Sequence, residues 1–92
     1  MSTTVTRRMK IVNEKGLHAR ASAKFVEVVE AHDATARVSK DGLDTDGDSI
    51  MGLLMLAASR GTTIEVETSG AEADKLMDAL EALVADKFGE GF

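Results

Sequence analysis

The sequence predicts a two-layer α+β domain of order βαββαβα, with an antiparallel sheet covered by helices on one face. Three observations lead there. Stretches such as TVTRRMKIV and TTIEVET alternate apolar and polar residues at period two, the mark of half-buried strands. Between them lie segments whose apolar residues recur every three or four positions, the mark of amphipathic helices. Strands that are polar on one side fit an antiparallel sheet with one solvated face, and the helices then cover the other.

Each element follows from its residues. Residues 4–12 put Val5, Met9 and Ile11 on one face and Thr6, Arg8 and Lys10 on the other. Asn13-Glu14-Lys15-Gly16 breaks this strand. Residues 19–31 are rich in Ala, with Ala21, Phe25, Val28 and Val29 at helical spacing. Thr35 to Ser39 alternates again, with Ala36 and Val38 inward, and Asp41-Gly42 is a hairpin signal. Leu43 to Thr45 makes a short acidic strand. Asp46-Gly47-Asp48-Ser49 offers polar caps before an apolar run, Ile50 to Ala58, read as a short helix that Arg60-Gly61 ends. Thr62 to Thr68 is a strand with Ile64 and Val66 inward. In the last helix Ala73, Leu76, Met77, Leu80, Leu83, Val84 and Phe88 share one face, with Glu72 and Asp74 in the first turn, where acids suit the helix dipole. Gly89 to Phe92 is expected to fray.

The chain has 92 residues, 43% of them hydrophobic and 29% charged, which suits a single domain over residues 1–92. It has no cysteine and no proline. The missing cysteines remove disulfides, thiolate metal sites and a thiol nucleophile, and favour a reducing cytoplasm. No apolar run reaches the ~20 residues of a membrane span, and MSTTVTRRMK lacks the apolar core of a signal peptide. The net charge of −5 is unevenly placed: residues 1–24 hold six basic groups and one acid, the rest five basic groups and fifteen acids. That pattern argues against general nucleic-acid binding, which needs a dominant basic field, yet leaves room for a local anion site in the first quarter. Phe25, Phe88 and Phe92 are the only aromatic residues, too few for a base-stacking sheet.

His18 is the leading candidate for chemistry. It falls in Gly16-Leu17-His18-Ala19-Arg20-Ala21-Ser22, between a strand's end and a helix's start. A helix N-terminus presents unpaired N–H groups and a partial positive charge, an anion site. An imidazole at the cap sets a nucleophilic nitrogen beside it. Arg20, in the first turn, can pair with phosphate oxygens. On spacing alone a capping or surface histidine is the favoured reading. His32, near that helix's C-terminus, reads as structural. Ser49 reads as an N-cap or as a phosphorylation site, with Asp46 and Asp48 repelling an added phosphate. Asp41, Asp44, Asp46 and Asp48 mimic the start of a calcium loop, but Ser49 then stands where glycine is needed and Met55 where a bidentate glutamate belongs. They read as a solvated hairpin, and no metal site or cofactor motif is present. Ile50, Met51, Leu54 and Met55 read as core or as an adaptable surface, with Leu54 toward the core and Ile50 and Met51 exposed.

The GLHARAS and SIMGLLML segments and the βαββαβα order together resemble HPr, the histidine-containing phosphocarrier family of the bacterial phosphoenolpyruvate-dependent phosphotransferase system. The likeness covers roughly residues 4–88. It implies an open-faced β-sandwich, a four-stranded antiparallel sheet with three helices on one side. It implies that His18 takes a phosphoryl group on Nδ1 from phosphorylated enzyme I and passes it to an enzyme IIA protein or domain, without a cofactor. It assigns Arg20 to assist the phosphate, Ser49 to regulatory phosphorylation by HPr kinase/phosphorylase, and Ile50, Met51 and Leu54 to partner docking. It implies a cytoplasmic monomer that relays phosphate rather than a free-standing enzyme. One departure stands out: the usual motif carries proline and alanine where this chain has Ala21 and Ser22. Alanine keeps the helix but leaves one more N–H near the phosphate, and Ser22 is expected to add a donor. The competing reading is a non-catalytic binding module switched by phosphorylation of Ser49, with His18 silent.

Overall fold

Period-two alternation decides which side of each strand meets the core, and the helices then close over that side. In the computed structural model, which describes residues 3–92, the order is β1 Thr4–Lys10, α1 Ala19–Glu30, β2 Thr35–Lys40, β3 Leu43–Asp46, α2 Ile50–Met55, β4 Thr63–Ser69 and α3 Ala73–Ala85. A single 3-10 turn, Lys87–Gly89, follows. The four strands form one antiparallel sheet in the order β1-β4-β2-β3. The last strand therefore lies between the first and the second, and the three helices pack on one side, as expected for an open-faced sandwich.

Register follows from the pattern. Met9 stands opposite Ile64 and Val38 opposite Val66, all inward and buried with Phe25, Leu53, Leu76, Leu80 and Phe88. Thr68 also faces inward. Its Oγ1 donates to the Ala73 carbonyl at 2.8 Å, which satisfies a buried hydroxyl and ties β4 to the start of α3. On the open face Arg8 lies opposite Glu65, and Arg37 opposite Glu67 and Asp46. Arg37 pairs with Asp44 and Asp46, so the acidic hairpin is solvated and cross-paired. Arg7 points to the helical side and reaches past the core rim to Asp78 and Glu81 of α3, at 2.9 and 3.2 Å. That use of a charged residue on the inward face of an edge strand is invisible to alternation.

Three differences from the sequence expectation go beyond a shift of one or two residues at an element's end. The helix begun at Ile50 stops at Met55 rather than running to Ala58. Ala57 takes a positive φ of 52°, a left-handed stop that turns the Ala58 carbonyl toward the Leu17 N–H at 2.9 Å. Phe88 is buried as expected, but in a turn beyond α3 where Lys87 and Phe88 both have positive φ. The segment expected to fray, Gly89 to Phe92, is tied down. The Phe92 carbonyl accepts from the Glu14 N–H at 3.1 Å, and the Phe88 carbonyl from Lys24 Nζ at 2.6 Å. Burial of the Phe88 ring anchors the residues that follow it.

Gly16 sits where only glycine fits. Its φ is +67°, and a Cβ there would lie 2.6 Å from the Ala58 carbonyl oxygen and 2.9 Å from the Ser59 Cα. Gly42 also has a positive φ, +84°, but a Cβ would meet nothing within 4 Å. Gly42→Ala is thus expected to lose only the left-handed penalty, about 1 kcal/mol. Gly16→Ala adds a backbone collision and is expected to lose at least about 2 kcal/mol. Urea unfolding of the two variants checks this, and equal losses would show that the Gly16 contact carries no energy.

Candidate functional site

The turn Asn13–Leu17 delivers the chain from β1 into α1 with His18 as the N-cap. His18 has extended backbone angles, φ −80° and ψ −175°. Its carbonyl accepts the Ser22 N–H at 2.8 Å, which opens the helical ladder. The N–H groups of Ala19, Arg20 and Ala21 lie ahead of that bond, without an intrahelical partner. The His18 side chain makes no capping bond. It is partly exposed, at 28%, so the ring stands at the positive end of the helix and is open to solvent.

The ring is held from its far side. His18 Nε2 is hydrogen-bonded to Glu90 Oε2. Glu90 is itself gripped, because Asn13 Nδ2 donates to Glu90 Oε1 at 2.9 Å and to the Gly16 carbonyl at 2.8 Å. Asn13 is fully buried, and its Oδ1 has no partner among the described residues. The amide's orientation is therefore set by the two acceptors it serves. The bond from Asn13 holds the Glu90 carboxyl below the usual glutamate range; burial opposes this, and His18 and Lys15 reinforce it. Glu90 is thus ionised at neutral pH, its side chain only 8% exposed.

Arg20 is exposed and forms no ion pair among the described residues. It shares a hollow of about 490 Å³ with Lys15, His18, Lys24 and Glu90. Three cations and one committed carboxylate around a helix N-terminus suit an anion that must also leave. A larger hollow, about 610 Å³, lies on the open sheet face between Arg8, Lys40, Asp41 and Glu65. Its lining has no histidine and carries mixed charge, with Asp41, Asp44 and Glu65 among the cations, so it suits an anion less well.

Ser49 is the N-cap of α2, its Oγ accepting the Gly52 N–H at 3.0 Å. Ile50 and Met51 are exposed, at 40% and 70%. Leu54 is half-buried, and the residue that fills the core is Leu53. Met55, at 75% exposed, extends the apolar surface beyond the three residues that the resemblance assigned to docking. One expectation needs revision. Ser22 is fully buried, and its hydroxyl donates to the Leu17 carbonyl at 3.3 Å, so it offers nothing to an anion. His32 donates Nδ1–H to the Val28 carbonyl at 2.7 Å, which is the structural role expected of it. Asn13 and Glu90 were not found from the sequence. The available signal was weak: a lone acid between two glycines, two residues after an apolar residue in helical phase.

A family model described as "PTS HPr component phosphorylation site" matches residues 5–86. The phosphocarrier protein HPr of Cupriavidus necator is 47% identical over 81 residues, 88% of this chain and 91% of that protein. The phosphocarrier protein NPr of Escherichia coli is 34% identical, covering 95% and 98%. Among solved structures, an HPr from Thermoanaerobacter tengcongensis superposes with a TM-score of 0.88 at 33% identity, covering 98% of this chain and 99% of that one. An HPr from Bacillus anthracis gives 0.85 at 34% identity, covering 89% and 98%. A helix-capping histidine in an open-faced sandwich, matched along nearly all its length by phosphocarriers, places the chain in the HPr family of the phosphotransferase system.

Proposed function

We propose that this chain accepts a phosphoryl group on His18 Nδ1 from phosphorylated enzyme I and delivers it to an enzyme IIA protein or domain. The observation that carries this reading is the N-cap position of His18, with Nε2 engaged and Nδ1 free of any hydrogen bond among the described residues. The step needs no metal and no proton transfer. Enzyme I of this family carries its phosphoryl group on a histidine of its own. The Nδ1 lone pair of His18 attacks phosphorus, the new P–N bond forms, and the donor ring's P–N bond breaks as that ring recovers its lone pair. The incoming phosphoryl oxygens meet the leading N–H groups of α1 and the Arg20 guanidinium. A solvent-open basic hollow binds phosphate moderately, which a relay requires in both directions. The protein is a cytoplasmic, monomeric relay in this reading, with proteins as its substrates on either side.

Ile50, Met51, Leu54 and the adjoining Met55 form the docking surface beside this centre. α1 and α2 pack together, so an apolar patch and a basic hollow can meet one partner. Phosphorylation of Ser49 by an HPr kinase/phosphorylase would replace a neutral cap with a dianion near Asp46 and Asp48. The added charge would oppose an acidic partner face and weaken docking.

Three outcomes are expected. Incubation with phosphoenolpyruvate and enzyme I gives an acid-labile label that His18→Ala abolishes. No acid-labile label, with docking still switched at Ser49, would favour the binding-module reading instead. Arg20→Ala slows transfer on the order of 10-fold, less than the ~100-fold typical of a donor in a water-excluded site, because Arg20 is solvated; rapid-quench kinetics measure this. Ser49→Asp raises the KM for phosphorylated enzyme I with little change in kcat, and an unchanged KM would remove the regulatory assignment.

A further inference from the structure

We propose that Glu90, gripped by Asn13, is a positioning residue that keeps the proton of His18 on Nε2 and so presents the Nδ1 lone pair to phosphorus. The inference rests on the phosphocarrier reading of His18 and assigns a task to the segment beyond α3.

A carboxylate can only accept hydrogen bonds. The ring nitrogen that faces Glu90 Oε2 must therefore carry the hydrogen. That selects one of the two neutral tautomers and leaves the other nitrogen bare. An imidazole free in solution divides its population between both. A buried, ionised carboxylate fixed on its far side by Asn13 removes that freedom.

The contact also answers a charge that the transfer creates. When the neutral ring attacks through Nδ1, it gains the phosphoryl group and keeps the Nε2 hydrogen, so the ring becomes cationic. The donor ring loses its positive charge in the same step. Glu90 meets the new cation through the hydrogen bond already in place, with no proton moved. When the phosphoryl group departs, the bond pair returns to Nδ1 and the ring is neutral again.

The geometry of the segment is consistent with this task. The buried Phe88 ring, the Lys24–Phe88 carbonyl bond and the Glu14–Phe92 carbonyl bond hold the turn on both sides of Glu90. Lys87, Phe88 and Gly89 all have positive φ, which folds the chain back over the start of α1. Asn13 is fully buried and gives both of its observed hydrogen bonds from Nδ2, one of them to Glu90.

The test uses the full chain with 15N-labelled histidine. Ring-nitrogen spectra of the neutral imidazole should show one tautomer, with Nε2 protonated and Nδ1 bare. Glu90→Ala should show a mixture of tautomers and accept phosphoryl from enzyme I about 10-fold more slowly, with the change in kcat rather than KM. Asn13→Ala should move both readouts in the same direction. Glu90→Gln has one oxygen for the two donors, Asn13 and His18, so it should also lose the single tautomer while keeping the size of the side chain. A Glu90→Ala protein with the wild-type tautomer and rate overturns the proposal. So does a rate loss that follows the loss of folded protein while the tautomer stays single. If wild-type protein takes no acid-labile label, the carrier reading fails, and the spectra still decide separately whether Glu90 selects the tautomer.

Discussion

The chain must leave the edge strand β1, turn through Asn13 to Leu17 and start α1 while pressed against the backbone of Ala58 and Ser59. Gly16 makes this approach without a side chain, and Leu17 closes it with a hydrogen bond to the Ala58 carbonyl. The position of His18 depends on that contact. It sets where α1 begins, which N–H groups lie ahead of its ladder, and which direction the imidazole leaves the backbone. It also joins the first turn of α1 to the segment after α2, so that His18 and the exposed apolar side chains of α2 belong to one packed body.

Around that point the forces are moderate by construction. A helix N-terminus favours an anion without trapping it. Arg20 is solvated, which keeps its pull on phosphate well below that of a desolvated arginine. Lys15 lies against the Phe92 ring, 5.9 Å from its centroid, and Lys24 is spent on the Phe88 carbonyl. The basic groups of the first quarter therefore divide between attracting an anion and fastening the C-terminal segment. A carrier gains from that division, since a site that held phosphate tightly would not release it.

The elements themselves were legible because their signals are local. Alternation placed Met9, Val38, Ile64 and Val66 in the core, and helical spacing did so for Phe25, Leu76 and Leu80. Cap chemistry located Ser49 and, with the strand-to-helix break, His18. Where the reading went astray, a distant contact outweighed local preference. The run to Ala58 looks helical, but Ala57 adopts a left-handed conformation so that Ala58 can bond to Leu17. Ser22 looks available to an anion by position, but the packing of α1 turns it inward. The last four residues look free, but Phe88 fills the core and draws them back over His18.

By itself the sequence determined the order of elements, the inward face of each strand, and the placing of a histidine at a helix start beside an arginine. Those features arise from side chains a few residues apart, whose period and propensity act before any tertiary contact forms. Only the folded chain decided that β4 lies between β1 and β2, and that Glu90 meets a histidine 72 positions away and an asparagine 77 positions away. No periodicity encodes such a meeting. It exists because the sheet brings the end of β1 beneath the end of α3, where one buried ring and one buried amide hold a carboxylate in reach of the imidazole.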